Sequence, residues 1–147
     1  MSQRVLIVED EALIALDLTF CLEALGHEVI ATAADSAEAL SVAHEGVDLA
    51  LVDLNLRDGP TGPALGERLA REFGATVIYI TANPRQVSPA ASGPVGILPK
   101  PYTLAALEKA VGFALSLRAG RRTVPPDELC LLAGAAAFEG AGGQARL

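Results

Sequence analysis

Four places in this chain put chemically capable side chains directly after short apolar runs. Glu9-Asp10-Glu11 follows Val5–Val8, Asp53 follows Leu49–Val52, Thr81 follows Thr76–Ile80, and Lys100 stands two residues after Val95–Leu98. Three successive carboxylates would repel a phosphate unless a cation intervened. Hard oxygen donors select a hard divalent cation, and Mg²⁺ typically takes one or two carboxylates plus waters. Asp53 is ionised at neutral pH and needs no base. It is a carboxylate nucleophile able to form an acyl phosphate. Asp10, with Glu9, would hold Mg²⁺ beside it, neutralising the clustered charge. Lys100 supplies a mobile point charge for one phosphoryl oxygen, and the Thr81 hydroxyl a hydrogen bond for another.

These residues share a site only if the apolar runs are neighbouring strands. Val5–Val8, Val29–Ala33, Leu49–Val52, Thr76–Ile80 and Val95–Leu98 are strand-length and alternate with segments of helical periodicity. That alternation predicts an α/β fold, a doubly wound parallel sheet of five strands covered on both faces. Ligands of such sheets bind at the carboxyl ends of the strands, where the four motifs fall. A dinucleotide fold would need a glycine-rich loop after the first strand, and Glu9-Asp10-Glu11 occupies that position.

The helices are predicted over about 11–25, with Leu13, Leu16 and Phe20 on one side and Gly26 as stop, and from Ser36, capped by Asp35 or Ser36, to Gly46. A third is predicted over 63–73 with Gly74 as terminator, and a last one after Pro101, capped by Thr103. The stretch between Thr81 and Val95 holds Pro84, Pro89 and Pro94, which are hostile to a regular helix. A loop, or at most one turn, is expected where the fold would carry its fourth helix.

Composition narrows the function class. The 147 residues carry a net charge of −7 and no basic cluster large enough for a nucleic-acid groove. No apolar run is long enough to span a membrane, and the start of the chain does not read as a signal peptide. Cys21 and Cys130 form no disulfide framework and suit a reducing cytoplasm. His27 and His44 lack metal-ligand spacing and are expected at the surface. The charge balance shifts along the chain: residues 1–117 carry −8 and residues 118–147 carry +1. A boundary is therefore expected near 119, with residues 120–147 as an extension carrying a short helix over 128–138 and no output domain. Its apolar residues Leu129, Leu131, Leu132 and Phe138 leave docking, partner binding and disorder open. Arg118, Arg121 and Arg122 read as a solvated helix end.

The motifs Val5-Leu6-Ile7-Val8-Glu9-Asp10-Glu11, Leu51-Val52-Asp53-Leu54-Asn55-Leu56, Ile78-Tyr79-Ile80-Thr81-Ala82 and Leu98-Pro99-Lys100-Pro101-Tyr102 resemble, in order and register, the receiver domain of two-component response regulators. The resemblance covers residues 4 to about 117. It implies a flavodoxin-like (βα)5 receiver with helix four shortened or replaced by a loop. It implies phosphorylation of Asp53 by a histidine kinase or phosphotransfer protein, and Mg²⁺ at Glu9, Asp10, Asp53 and the backbone carbonyl of Asn55. A cis Lys100–Pro101 peptide is also common in the family. The Pro-rich loop and the Lys-Pro-Tyr sequence are similar to the stand-alone FAT-GUY subclass, which is often served by HWE or HisKA2-type kinases. That subclass usually has Thr-Gly-Tyr where this chain has Thr81-Ala82-Asn83, and the usual aromatic switch position holds Ile97.

The expectation is thus a stand-alone cytoplasmic phosphoacceptor, not an enzyme acting on other substrates. It would signal by protein contact or drain phosphoryl groups from a kinase. The alternative is a phosphatase-like hydrolase using Asp53 as nucleophile. Haloacid-dehalogenase-like enzymes place a general acid two residues after that nucleophile, and Asn55 cannot serve as one.

Overall fold

Alternating apolar and β-branched residues need both sheet faces covered, and the computed structural model, described here for residues 2–135, shows how this chain does so. The elements run β1 (Arg4–Val8), α1 (Ala12–Ala24), β2 (Glu28–Ala33), α2 (Ser36–Ala43), β3 (Leu49–Val52), α3 (Gly62–Phe73) and β4 (Thr76–Thr81). A single 3₁₀ turn (Pro84–Gln86), β5 (Gly96–Pro99), α4 (Leu104–Arg118) and β6 (Cys130–Leu131) follow. The sheet order is β2-β1-β3-β4-β5-β6, with β1 to β5 parallel. The chain reverses its direction of progress across the sheet between β1 and β3, and the crevice at that switch point is the expected ligand position.

Period-two alternation divides the core into two layers. Val5, Ile7, Leu49, Leu51, Ile78, Ile80 and Leu98 face α1 and α4, against Leu18, Leu22, Val111 and Phe113. Leu6, Val8, Ala50, Val52, Val77, Tyr79 and Ile97 face α2 and α3, against Ala39, Ala43, Leu65 and Leu69. Local signals set the helix ends. Asp35 accepts a hydrogen bond from the Glu38 amide at 2.9 Å, and Thr103 accepts one from Ala106 at 3.0 Å. Gly74 closes α3 in the left-handed conformation at φ 69°. Between β4 and β5 the prolines permit only the one 3₁₀ turn, as the sequence predicts.

Three expectations are corrected. The sheet has six strands, not five, because Cys130–Leu131 pairs antiparallel with Gly96 and Ile97. This strand also replaces the start of the predicted helix over 128–138, which within the described residues is helical over 133–135: Leu129 and Leu132 bury their side chains at the open edge of β5, which outweighs local helical preference. Phe138 and the Gly-rich end lie outside the described residues. Finally, Arg118 is not simply solvated; its guanidinium donates to the Gly74 carbonyl at 2.8 Å and Thr76 Oγ1 at 3.1 Å, and pairs with Asp48 at 3.3 Å. The other apolar side of α1 stays exposed: Leu13, Leu16 and Phe20 are 82, 50 and 63% accessible.

Candidate phosphoacceptor and metal site

Each site residue owes its place to the strand before it. β1 and β3 are hydrogen-bonded in register from Val5↔Leu49 to Val8↔Val52, so the residues that follow, Glu9-Asp10 and Asp53, emerge side by side. The Asp53 amide donates to the Val8 carbonyl at 2.9 Å and continues that register into the site. β4 pairs with β5 up to Thr81↔Pro99, and the Lys100 amide donates to the Thr81 carbonyl at 2.8 Å. The Lys100–Pro101 peptide is cis. All six residues proposed from sequence therefore meet along one rim.

Asp10 is exposed, whereas Glu9 and Asp53 are nearly covered at 4 and 8% accessibility and Thr81 is fully buried. Carboxylate oxygens of Glu9, Asp10 and Asp53 lie within 4.8 Å of one another. Lys100 Nζ bridges two of them, 3.1 Å from Glu9 Oε1 and 3.2 Å from Asp53 Oδ2. The second Asp53 oxygen accepts from the Leu54 amide at 2.7 Å, and Glu9 Oε2 from the Glu11 amide at 3.1 Å. Burial, reinforced by the charge of Asp53, raises the Glu9 pKa against the pull of the Glu11 amide and Lys100. Burial works against the Lys100 charge, but the facing Asp53 and Glu9 carboxylates outweigh it and hold the ammonium pKa up. Three hard-oxygen acids facing one lysine form a donor set that fits a hard divalent cation.

The surroundings reveal residues that sequence reasoning missed. Gly62 opens α3 directly against β3, and a Cβ there would overlap the Asp53 carbonyl oxygen and Leu54 Cα. Arg57 ties the loop after Asp53 to α2: its guanidinium donates to Asp35 and Glu38 at 2.6 and 2.8 Å, and its amide to the Ala34 carbonyl at 3.0 Å. Those contacts hold the Asp35 and Glu38 carboxyls below their ordinary pKa, with the Glu38 and Ala34 amides, respectively, as the larger cause. Asn55 and Gln86 exchange amide hydrogen bonds of 2.9 and 3.2 Å, clasping the Pro-rich loop to the rim. Thr81 Oγ1 accepts from the Asn83 amide at 2.9 Å. No sequence spacing announces Gln86 or Arg57, because both act across long loops.

The remaining singled-out residues stay away from the site. His44 is exposed with its ring edge-on to Phe73 at 5.1 Å, and His27 accepts from the Gln3 amide through Nδ1. Cys21 packs partly buried against the core. Ile97, at the usual aromatic switch position, is buried in the α2–α3 layer.

This fold and rim define a receiver, and the chain belongs to the response regulator receiver domain family, whose model matches residues 5–112. It is 36% identical over 125 residues to the phyllosphere-induced regulator PhyR of Methylorubrum extorquens, covering 83% of this chain and 47% of that protein. It is 33% identical over 121 residues to the transcriptional regulatory protein PdtaR of Mycobacterium tuberculosis, covering 79% of this chain and 58% of that one. The chain thus spans about half the length of these curated relatives. Among solved structures, the receiver domain of the PhyR response regulator from Erythrobacter litoralis aligns with a TM-score of 0.74 at 33% identity, covering 84% of this chain and 97% of that domain. Among the described residues, no helix is long and apolar enough to cross a membrane.

Proposed function

We propose that this chain is a phosphorylation-controlled switch with Asp53 as acceptor. One observation carries the reading: Lys100 Nζ bridges Asp53 and Glu9 at the switch point of the sheet, with Asp10 and Thr81 on the same rim. The phosphodonor is a histidine kinase, of HWE or HisKA2 type by family resemblance, or a phosphotransfer protein. An Asp53 carboxylate oxygen forms the new O–P bond as the donor's P–N bond breaks, and the electron pair leaves on the imidazole nitrogen. Lys100 then turns from the free carboxylate to a phosphoryl oxygen, and Thr81 donates its hydroxyl proton to another. Glu9, Asp10, Asp53 and the Asn55 carbonyl would hold Mg²⁺. Bound there, the ion supplies charge neutralisation and a template for the phosphoryl oxygens.

Leu16 of the exposed apolar face of α1 shares a cleft with Glu9 and Asp10, so the site adjoins that face. That face supports docking of the phosphodonor. Output passes by protein contact from the Pro-rich loop and the face around residues 97–102, or the chain drains phosphoryl groups from the kinase. The loop is tied to the site at both Thr81 and Asn55. A cytoplasmic location fits this chemistry. Incubation with acetyl phosphate and Mg²⁺, read by intact mass, should give one phosphoryl adduct. No adduct, or continuous turnover without one, overturns the reading.

A further inference from the structure

Directly after Asp53, Asn55 is an exposed residue between two buried ones, Leu54 and Leu56. The carbonyls on either side of it are taken: that of Leu54 by the Gly62 amide and that of Leu56 by the Gly59 amide, both at 3.0 Å. Among the described residues nothing donates to the Asn55 carbonyl. Its side chain is engaged instead, and twice. Asn55 Nδ2 donates to Gln86 Oε1 at 2.9 Å, and Gln86 Nε2 donates to Asn55 Oδ1 at 3.2 Å. Each amide thus satisfies the other through both its oxygen and its nitrogen. Asn55 keeps its backbone oxygen open while its side chain is gripped from across the rim.

Gln86 closes the single 3₁₀ turn of the β4–β5 crossover. That turn has two anchors of its own. Thr81 Oγ1 holds its start through the Asn83 amide, and Val87, the residue after Gln86, is buried in the α2–α3 layer. Asn55, Ala82 and Asn83 line the acceptor cleft and also a second cleft that ends at Arg85 and Gln86. The clasp therefore sits where the acceptor cleft meets the Pro-rich loop.

We propose that Gln86 is a positioning residue of the cation site: it holds the Asn55 carbonyl in its ligand position through the Asn55 side chain, so that cation binding and closure of the clasp form one coupled equilibrium. This role rests on the proposed Mg²⁺ site at Glu9, Asp10, Asp53 and the Asn55 carbonyl. Mg²⁺ demands near-ideal octahedral geometry, so a carbonyl ligand gains from a contact that stops its peptide from turning. The coupling is reciprocal: the factor by which the closed clasp raises cation affinity is the factor by which the cation favours the closed clasp. The Pro-rich loop would then register the cation before any phosphoryl group arrives.

The probe is Mg²⁺ alone, titrated calorimetrically onto the full chain. Gln86→Met keeps the length of the side chain and removes its amide. Asn55→Ala removes the other amide and keeps the backbone carbonyl. Each should weaken Mg²⁺ binding about fivefold. The double variant should bind no more weakly than either single one, because both remove the same clasp. Hydrogen exchange supplies the reciprocal readout, which a merely structural contact would not move. The Gln86 and Val87 amides donate to the Asn83 and Pro84 carbonyls at 3.1 and 3.3 Å. At saturating Mg²⁺ they should exchange about fivefold more slowly in the wild type and at an unchanged rate in Gln86→Met. An Asp10→Asn control distinguishes a failed cation site from a failed clasp. Unchanged Mg²⁺ affinity in Asp10→Asn would overturn the cation site and the role of Gln86 with it. Weakened binding in Asp10→Asn but not in Gln86→Met would leave the cation site standing and overturn the role of Gln86 alone. So would additive losses in the double variant, or loop exchange that ignores Mg²⁺.

Discussion

The β1–β3 half of the sheet carries carboxylates to the rim and the β4–β5 half a hydroxyl and an ammonium, and the two halves hold their loops differently. On the first side, Val5–Val8 and Leu49–Val52 pair without a break, and the loop after Asp53 is fastened to α2 by Arg57. On the second, the crossover from β4 to β5 contains one 3₁₀ turn, joined to the rim by the Asn55–Gln86 clasp and the Thr81–Asn83 hydrogen bond. The edge that a full helix would help cover is completed by a two-residue strand from far along the chain. The rim residues of both sides are thus set by unbroken strand pairing, and the difference lies in the loops. The one after Asp53 is held by the Arg57 ion pairs, the one after Thr81 by single amide hydrogen bonds that are individually weak in water. Under the proposed function, a firmly held loop suits the side that would hold a cation and accept a phosphoryl group, and a weakly tied one suits a segment that would respond to it.

The sharpest break in that comparison is at the acceptor itself. Asp53→Asn should abolish the phosphoryl adduct in intact-mass analysis while the far-UV circular dichroism stays unchanged, because the amide is isosteric and relieves repulsion with Glu9. A stoichiometric adduct on that variant would move the acceptor elsewhere. Next in size, Asp10→Asn should weaken Mg²⁺ binding about tenfold or more, since one charge beside the ion is worth over about 1 kcal/mol at short range. The raised Glu9 pKa adds a pH dependence with a definite sign. A proton on Glu9 competes with the cation, so affinity should rise as pH increases through that raised pKa and then level off. Affinity flat across the mildly acidic range would remove Glu9 from the ligand set.

Stability should separate the halves as well. Leu51→Ala, in the fully buried β3, should cost about 2–5 kcal/mol in urea unfolding. Leu129→Ala should cost less than half as much, because the edge segment can leave without opening the rest. Equal costs would erase the distinction. A finer separation comes from the two loop ties. Arg57→Ala should weaken Mg²⁺ binding about threefold by loosening the loop that carries Asn55, a small effect because the ion pairs are exposed. Thr81→Ala should leave Asp53 able to take phosphate while shrinking the hydrogen-exchange response of residues 82–102. A full loop response in Thr81→Ala would mean that the signal leaves by another route.

Much of this was legible beforehand for a specific reason. Strand-length runs such as Leu49–Val52 and stops such as Gly74 act through local backbone preference and period-two burial, and these survive in any tertiary context. The chemistry was legible because a parallel sheet places every post-strand residue at the same rim, so Glu9, Asp10, Asp53, Thr81 and Lys100 could be assigned to one site from order alone. The exposed side of α1 was less legible: Leu13, Leu16 and Phe20 look like core residues by type, but Ala15, Leu18 and Leu22 take that role. Periodicity identifies a helix without fixing which of two apolar sides turns inward.

By itself, then, the sequence determined the five parallel strands, the helices between four of them, the missing fourth helix and the residues at the rim. Each depends on neighbours within a few positions or on the fixed geometry of a parallel sheet. Only the tertiary structure decided that Gln86 meets Asn55, that Arg57 meets Asp35 and Glu38, that Arg118 reaches Asp48, and that Leu129 and Leu132 close the β5 edge. Those contacts join residues 19 to 70 positions apart, and the last closes a strand 33 or 35 positions from its partner. No local preference encodes them: they form because a folded sheet leaves a particular edge, carbonyl or charge in need of a partner at that point in space.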